Sequence, residues 1–210
     1  MQYTAFVPAR SGSKRLPGKN IKLLANKPLV VWSLEAFINS SKVNEVIFST
    51  DSMEYWDIVQ KYITSNKLIL DFRSPSDAAD KIKIIDYLKN KNKKIFGNKT
   101  GTFILGLPTT PLRTTSDINR AIKLYETNNK PVFSATEYSF PISFAFIKNE
   151  NKWLSVFEKN PMIDGNTRSQ DQKKTYHPNG AIYVRPINDL NSKKLKTLYD
   201  DAIPLIMDRF

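Results

Sequence analysis

There is no cysteine anywhere in the 210 residues. Disulfides and thiolate metal sites are therefore excluded, and a reducing, cytoplasmic compartment is expected. Long apolar runs are also missing: nothing approaches the roughly 20 residues needed to cross a bilayer, so no membrane partner is expected. No N-terminal leader is expected, because the first apolar run itself feeds a candidate functional loop. Acidic residues are scarce, 20 against 32 Lys plus Arg, for a net charge of +12. Such an excess suits nucleic acid, an anionic membrane face or a small polyanion. The lysines, however, fall in scattered clusters: Lys89, Lys91, Lys93 and Lys94; Lys173 and Lys174; Lys193, Lys194 and Lys196. Interspersed with asparagine, they read as solvated surface. With no aromatic RNA-binding signature, zinc-finger spacing or heptad, nucleic acid is not the expected partner.

What is present is ordinary globular composition, 40% hydrophobic and 25% charged, in a length that suits one domain over 1–210. Apolar strand-like runs at Tyr3–Val7, Val43–Ser49, Leu68–Phe72, Thr102–Leu107, Val132–Ala135 and Gly180–Val184 alternate with helical patterns. The helices are expected from Pro28 through Ile38, over Glu54–Tyr62 and Asp80–Lys89, and after a Ser116 cap. This alternation predicts an α/β fold, a mainly parallel sheet with helices on both faces. Ligands in such sheets sit beyond the carboxyl ends of the strands. Arg10, Asp51, Arg73 and Thr109 all follow strands, so one crevice is expected to collect them. Between about 138 and 177 the periodicity fails, and Phe140, Phe144, Phe146, Trp153, Phe157 and Met162 are strewn through it. A segment of that length is either a lid or an arm that buries its aromatics against another subunit.

The most informative stretch is Tyr3-Thr-Ala-Phe-Val-Pro-Ala-Arg-Ser-Gly-Ser-Lys-Arg-Leu-Pro-Gly-Lys-Asn20. A first strand empties into a loop with Gly12 and Gly18, which let backbone N–H groups approach an anion, and with Arg10, Lys14, Arg15 and Lys19. Neither the P-loop nor the dinucleotide spacing is present. From composition alone, a flexible basic surface turn remains open. The order Pro8-Ala-Arg-x-Gly-Ser-Lys-x-Leu-Pro-Gly-Lys-Asn20 resembles the signature loop of the acylneuraminate cytidylyltransferases, the CMP-sialic acid synthetase family, which includes pseudaminic and legionaminic acid types. The resemblance implies a Rossmann-like nucleotidyltransferase fold in which this loop wraps the triphosphate of CTP. Ala9, Arg10, Ser11, Gly12, Ser13, Lys14 and Asn20 would then bind nucleotide, with Arg10 and Lys19 acting in catalysis.

Further segments carry the same resemblance. Leu107-Pro-Thr-Thr-Pro-Leu-Arg113 is similar to the family's second motif, whose flanking prolines fix two hydroxyl residues; spacing alone reads equally as a rigid turn. By resemblance Pro108 and Thr109 meet the nucleotide and Leu107 the sugar. Many sialic acid enzymes carry glutamine in place of Leu107, a departure that removes a polar contact. Ser49-Thr-Asp-Ser52 resembles an S-T-D element in which Asp51 either caps the next helix or serves the site. Arg73, in Phe72-Arg73-Ser-Pro75, matches an arginine that contacts nucleotide, and Asp80 aligns with a recurrent aspartate. Arg168, Gln170, Tyr176, Asn179 and Gly180 lie in blocks resembling those that hold the acidic sugar. An arginine fork suits a carboxylate, although Asn179-Gly180 also suits a plain turn. His177, the one histidine, is at most a neighbour of the substrate.

The family reading implies a reaction in which CTP and an acidic nine-carbon sugar give a CMP-sugar and pyrophosphate. It also implies Mg²⁺ as cofactor and a homodimer built through the 138–177 arm. It leads us to expect an acidic metal-binding pair after a strand like Ile203–Met207. Asp208 is the one candidate there, and a chain continuing past residue 210 is expected to supply the rest. Two alternatives stay open: another sugar-nucleotide synthase, such as one for the eight-carbon acid Kdo, or a catalytically dead nucleotide- or nucleic-acid-binding module.

Overall fold

The structure is a computed structural model, and it describes residues 1–208. In chain order the elements are β1 (Tyr3–Pro8), the two-residue strands β2 (Leu23–Leu24) and β3 (Lys27–Pro28), α1 (Leu29–Ile38), β4 (Glu45–Thr50), α2 (Met53–Gln60), β5 (Leu68–Phe72), α3 (Ile84–Asn90), α4 (Asn92–Phe96), β6 (Thr102–Leu105), α5 (Thr115–Asn128), β7 (Val132–Glu137), β8 (Phe146–Asn149), β9 (Lys152–Ser155), α6 (Pro161–Asp164), β10 (Tyr176–Pro186) and β11 (Ile203–Ile206). Seven strands form one sheet in the order β11-β7-β10-β6-β1-β4-β5. β1 pairs in parallel with both β4 and β6, β4 pairs in parallel with β5, and β10 lies antiparallel to β6. The strand order reverses beside β1. In open α/β sheets that is where a ligand crevice opens.

β1 is buried almost throughout because a central parallel strand has helices over both faces. Phe6 joins Ile47, Phe103 and Leu105 in a cluster covered by Tyr87 and Leu88 of α3 and Phe96 of α4. Phe96 lies 5.8 Å from Phe103 and 6.5 Å from Phe6, ring centre to ring centre. Phe48 points the other way, as the two-residue strand period requires, and stacks on Trp56 of α2 at 6.2 Å. Each such ring contributes about 1.5–3 kcal/mol by leaving water.

Two expected helix starts lie elsewhere. Thr114, not Ser116, caps α5: its hydroxyl accepts from Asp117 N–H at 3.2 Å while Asp117 accepts from Thr114 N–H at 3.0 Å. Having both halves of this capping box outweighs the single serine. The helix expected from Asp80 begins only at Ile84, because residues 74–83 close into successive turns, with Ala78 N–H on Ser74 O and Ile82 N–H on Ala79 O. Pro28 sits at the N-cap of α1, pairing with Leu23 in the miniature ribbon.

The described residues divide into two compact units: 1–134 with 179–205, and 135–178 with 206–208. In the second, β8 and β9 form a hairpin with Ile147 opposite Leu154, and Phe146 meets Trp153 edge-on at 6.0 Å. Phe140, Phe146, Trp153 and Met162 are exposed around a hollow of about 830 Å³. Among the described residues no helix is long and apolar enough to cross a membrane.

Candidate active site

The loop after β1 is shaped by three contacts. Ala9 is fully buried and gives its N–H to Ser49 O at 2.8 Å, which ties the loop's start to β4. Ser11 donates its N–H to Asp51 Oδ1 at 2.7 Å and its hydroxyl to Oδ2 at 3.0 Å. Asn20, nearly buried, donates to Arg10 O at 3.0 Å and closes the loop on itself. Gly18 takes φ +66°, the left-handed region that glycine occupies without strain. Gly12 does not need to be glycine on steric grounds, since a side-chain carbon there would meet nothing within 4 Å. The ambiguity over Asp51 is thereby resolved. Ser52 caps α2 through Tyr55 N–H, and Asp51 holds the loop. In this state the N–H groups of Ala9 and Ser11 are engaged within the protein, so neither is turned to a ligand.

Beside the loop lies a cleft of about 470 Å³ at the carboxyl ends of the parallel strands. Arg10, Arg15, Lys19 and Arg73 line it against one carboxylate, Asp77, which is an excess of positive charge fit for a polyanion. Asn20, Pro108, Thr109 and Leu107 line the same cleft, so the loop, Arg73 and the proline-flanked segment do converge. Arg73 follows β5 and is 4% exposed. Its Nη2 donates to Ser49 O at 3.1 Å, its plane lies over Tyr87 at 5.5 Å, and its Nε has no partner. Burial lowers its pKa. Beneath it Asp71 accepts from Ser49 Oγ and Tyr87 Oη, both at 2.7 Å, and pairs with Lys94 at 2.9 Å. Burial, then the hydrogen bond to Asp71, pushes the Tyr87 pKa up, keeping it a neutral donor. Lys14 lies on the exposed rim and pairs with Asp80; hydrogen bonds from Lys14 and then Arg10 hold the Asp80 pKa below the usual carboxylate value.

The segment 107–110 is rigid for a reason the sequence shows only in part. Arg113, 3% exposed, donates Nη1 to Leu107 O at 3.4 Å, to Thr110 Oγ1 at 3.1 Å and to Ala181 O at 2.6 Å, with Phe37 against its plane at 4.6 Å. Burial pushes its pKa down to about 9, so it stays protonated at neutral pH. Leu107 N–H in turn donates to Gly180 O at 3.2 Å. Gly180 takes φ +76°, and a side-chain carbon there would sit 2.9 Å from Leu107 Cδ1. Asn179 Oδ1 accepts from Ser134 Oγ at 2.6 Å and Ala181 N–H at 3.0 Å. Leu107, Asn179 and Gly180 are thus neighbours.

The cytidylyltransferase family profile matches residues 4–185, most of the chain and all of this cleft. The chain belongs to the cytidylyltransferase family. It is 32% identical over 188 residues to the pseudaminic acid cytidylyltransferase of Campylobacter jejuni, covering 87% of this chain and 78% of that protein. It is 35% identical over 202 residues to the CMP-N,N'-diacetyllegionaminic acid synthase of Legionella pneumophila, covering 92% and 82%. Against the N-acylneuraminate cytidylyltransferase of Escherichia coli the identity is 34%, over 86% of this chain and 41% of that one. In fold it is similar to a CMP:2-keto-3-deoxy-manno-octonic acid synthetase solved with CTP, TM-score 0.69 at 16% identity, covering 100% and 91%.

Of the other residues singled out in this cytidylyltransferase, Arg168, Gln170 and Tyr176 belong to the second unit. Arg168 and Gln170 sit at a short turn, where Arg168 Nε lies 3.7 Å from Asp171, and Tyr176 begins β10, exposed. Asp208 is exposed in the same unit; it is the one member of the expected acidic pair that the 210 residues contain. No group of three or more His, Asp or Glu that could hold a metal occurs among the described residues. The carboxylates around the cleft are already committed: Asp51 to Ser11, Asp77 to Ser74 and Lys91, Asp80 to Arg10 and Lys14.

Sequence reading missed Tyr87, Ile84 and Asp77 as cleft residues. Ile84 and Tyr87 stand three apart on α3, so helical spacing shows that they share a face, but nothing local says which crevice that face meets.

Proposed function

We propose that this cytidylyltransferase transfers the cytidylyl group of CTP to an acidic nonulosonic sugar. The anomeric hydroxyl attacks the α-phosphorus in line, the bond to the β-phosphate oxygen breaks, and pyrophosphate leaves. The carrying observation is the single cleft in which the signature loop, Arg73 and the 107–110 segment meet, with four cations against one carboxylate. Charge grows on the phosphate oxygens during transfer, so fixed cations accelerate the step. In this reading Arg10 and Lys19 stabilise that charge at the reacting phosphate, Lys14 takes the outer phosphates, and Arg73 contacts the nucleotide. Magnesium enters with the triphosphate, whose oxygens are hard ligands; no step is assigned to a protein-held metal.

The sugar side is assigned to Leu107, Asn179 and Gly180; the resemblance of their motifs also assigns Arg168, Gln170 and Tyr176 to sugar binding. Relatives above 30% identity bear the names of nine-carbon sugar enzymes, which favours a nonulosonate over an eight-carbon acid. The exposed aromatics of the second unit suit a homodimer. The reading is tested by melting the protein with Mg²⁺ and CTP, UTP, ATP or GTP. At about 100 times the dissociation constant a ligand adds roughly 2.7 kcal/mol, a visible shift. Selective stabilisation by CTP, followed by pyrophosphate release with an acidic nine-carbon sugar, is the expected outcome; equal shifts with all four nucleotides would count against it.

A further inference from the structure

One carboxylate stands where an anion is expected to bind. Asp80 places Oδ1 2.5 Å from Arg10 Nη1 and Oδ2 2.6 Å from Lys14 Nζ. Two oxygens of one anion are each taken by a separate cation at charge-assisted distance, which is how a phosphate would be held. Arg10 also reaches Ala78 O at 3.4 Å, so Arg10 and Lys14 lean on the same segment. That segment joins β5 to α3. Its first half is anchored, with Asp77 on Ser74 Oγ at 2.8 Å and on Lys91 at 3.3 Å. The half carrying Asp80 is a run of exposed turns, in which Ile82 N–H bonds to Ala79 O and Ala79 N–H to Ser76 O, while among the described residues the Asp80 side chain makes only its two ion pairs. Asp80 can therefore leave the cations without disturbing the sheet.

We propose that Asp80 is a resident counter-anion of the phosphate loop. Its carboxylate competes with the outer phosphates of the nucleotide for Arg10 and Lys14, and retakes both cations as pyrophosphate departs. The inference rests on reading the cleft as a triphosphate site. Arg10 lines the cleft, while Lys14 lies outside its lining with a side chain 84% exposed. A ligand must therefore carry phosphate out to the rim before it meets the pair that Asp80 occupies. Such a ligand gains only the difference between its own contacts and the two ion pairs it displaces. A nucleoside gains nothing and loses nothing there. Asp80 thus lowers affinity for pyrophosphate and for triphosphate in a way that is blind to the base, which helps the product leave.

The test is calorimetric titration of pyrophosphate, CTP and cytidine, at one low ionic strength, into the wild type and Asp80→Asn. The pair is exposed and screened, so the expected gain is modest: pyrophosphate and CTP bind roughly three- to tenfold more tightly to the variant. Cytidine binds both proteins alike. Asp80→Ser, which also removes the charge, must reproduce the gain. Adding Lys14→Gln to Asp80→Asn must reduce it. Unchanged or weaker pyrophosphate binding in both Asp80 variants overturns the proposal, as does a gain that extends to cytidine. If CTP proves no better a ligand than GTP, the cytidylyl reading falls, while the pyrophosphate comparison still decides the role of Asp80.

Discussion

Asp51 grips Ser11 twice, once through the backbone N–H at 2.7 Å and once through the hydroxyl at 3.0 Å. The carboxylate stands just after β4 and the serine just after β1. A rigid pair of parallel strands thereby sets the path of a loop that has little regular structure of its own. Hydrogen bonds to a charged group are worth about 1.5–3 kcal/mol, so losing them should loosen the loop appreciably. Asp51→Ala is expected to raise the KM for CTP roughly tenfold. Asp51→Asn keeps one acceptor for the N–H and should recover part of the loss, which steady-state kinetics on the two variants will read.

Arg10 is the cation that both lines the cleft and pairs with the counter-anion. Removing it takes away charge where charge develops. Arg10→Ala should lower kcat at least about tenfold. The measurement is pyrophosphate release at saturating CTP and sugar; near-normal turnover would refute the role assigned to Arg10.

Gly106 follows β6 in a space that admits no side chain. A carbon added there would lie 2.6 Å from the Phe37 ring and 2.8 Å from Arg113 Nη1. Both neighbours are themselves buried, so neither can move aside cheaply. Gly106→Ala should cost about 1–3 kcal/mol by overpacking. Because Arg113 holds Leu107 and Ala181, the same change should also weaken substrate binding. Denaturant melts and KM values, taken together, will separate the two effects.

Asp200 predicts how stability responds to acid. The Thr197 hydroxyl first, then the N–H groups of Lys196 and Thr197, hold its pKa at about 2, below the 3.8 of a free aspartate. The native state therefore binds this proton less readily than the unfolded chain. The carboxylate's stabilisation is complete above 3.8 and is lost as the pH falls through about 2. Asp200→Asn should flatten the pH dependence of the melting temperature in that window and lower it at neutral pH. A wild-type slope that survives the substitution would contradict this.

Much of the architecture was legible because the strand and helix periods differ so plainly. The run Tyr3–Val7 and the alternation after it announce a parallel sheet, since a buried strand must be apolar on both faces. The signature loop was legible too, because its residue order resembles that of a known family, and the family match over residues 4–185 agrees. Helix starts were less so. Ser116 and Thr114 are both good caps, and only the reciprocal bond from Asp117 chooses between them.

The amino-acid sequence by itself determined the fold class, the basic loop and the family, for all three rest on local pattern and residue order. Tertiary structure alone decided the partnerships across the chain. Asp51 meets Ser11 over 40 positions, Asp71 meets Tyr87 beneath Arg73, and Arg113 reaches Ala181 over 68. Asp80 meets two loop cations from which it is separated by the elements β2, β3, α1, β4, α2 and β5. No local rule encodes these contacts. The contacts of Asp51, Asp71 and Asp80 arise where β1, β4 and β5 end side by side, and that of Arg113 where the chain leaving β6 meets β10; there, charged and hydrogen-bonding groups must find one another.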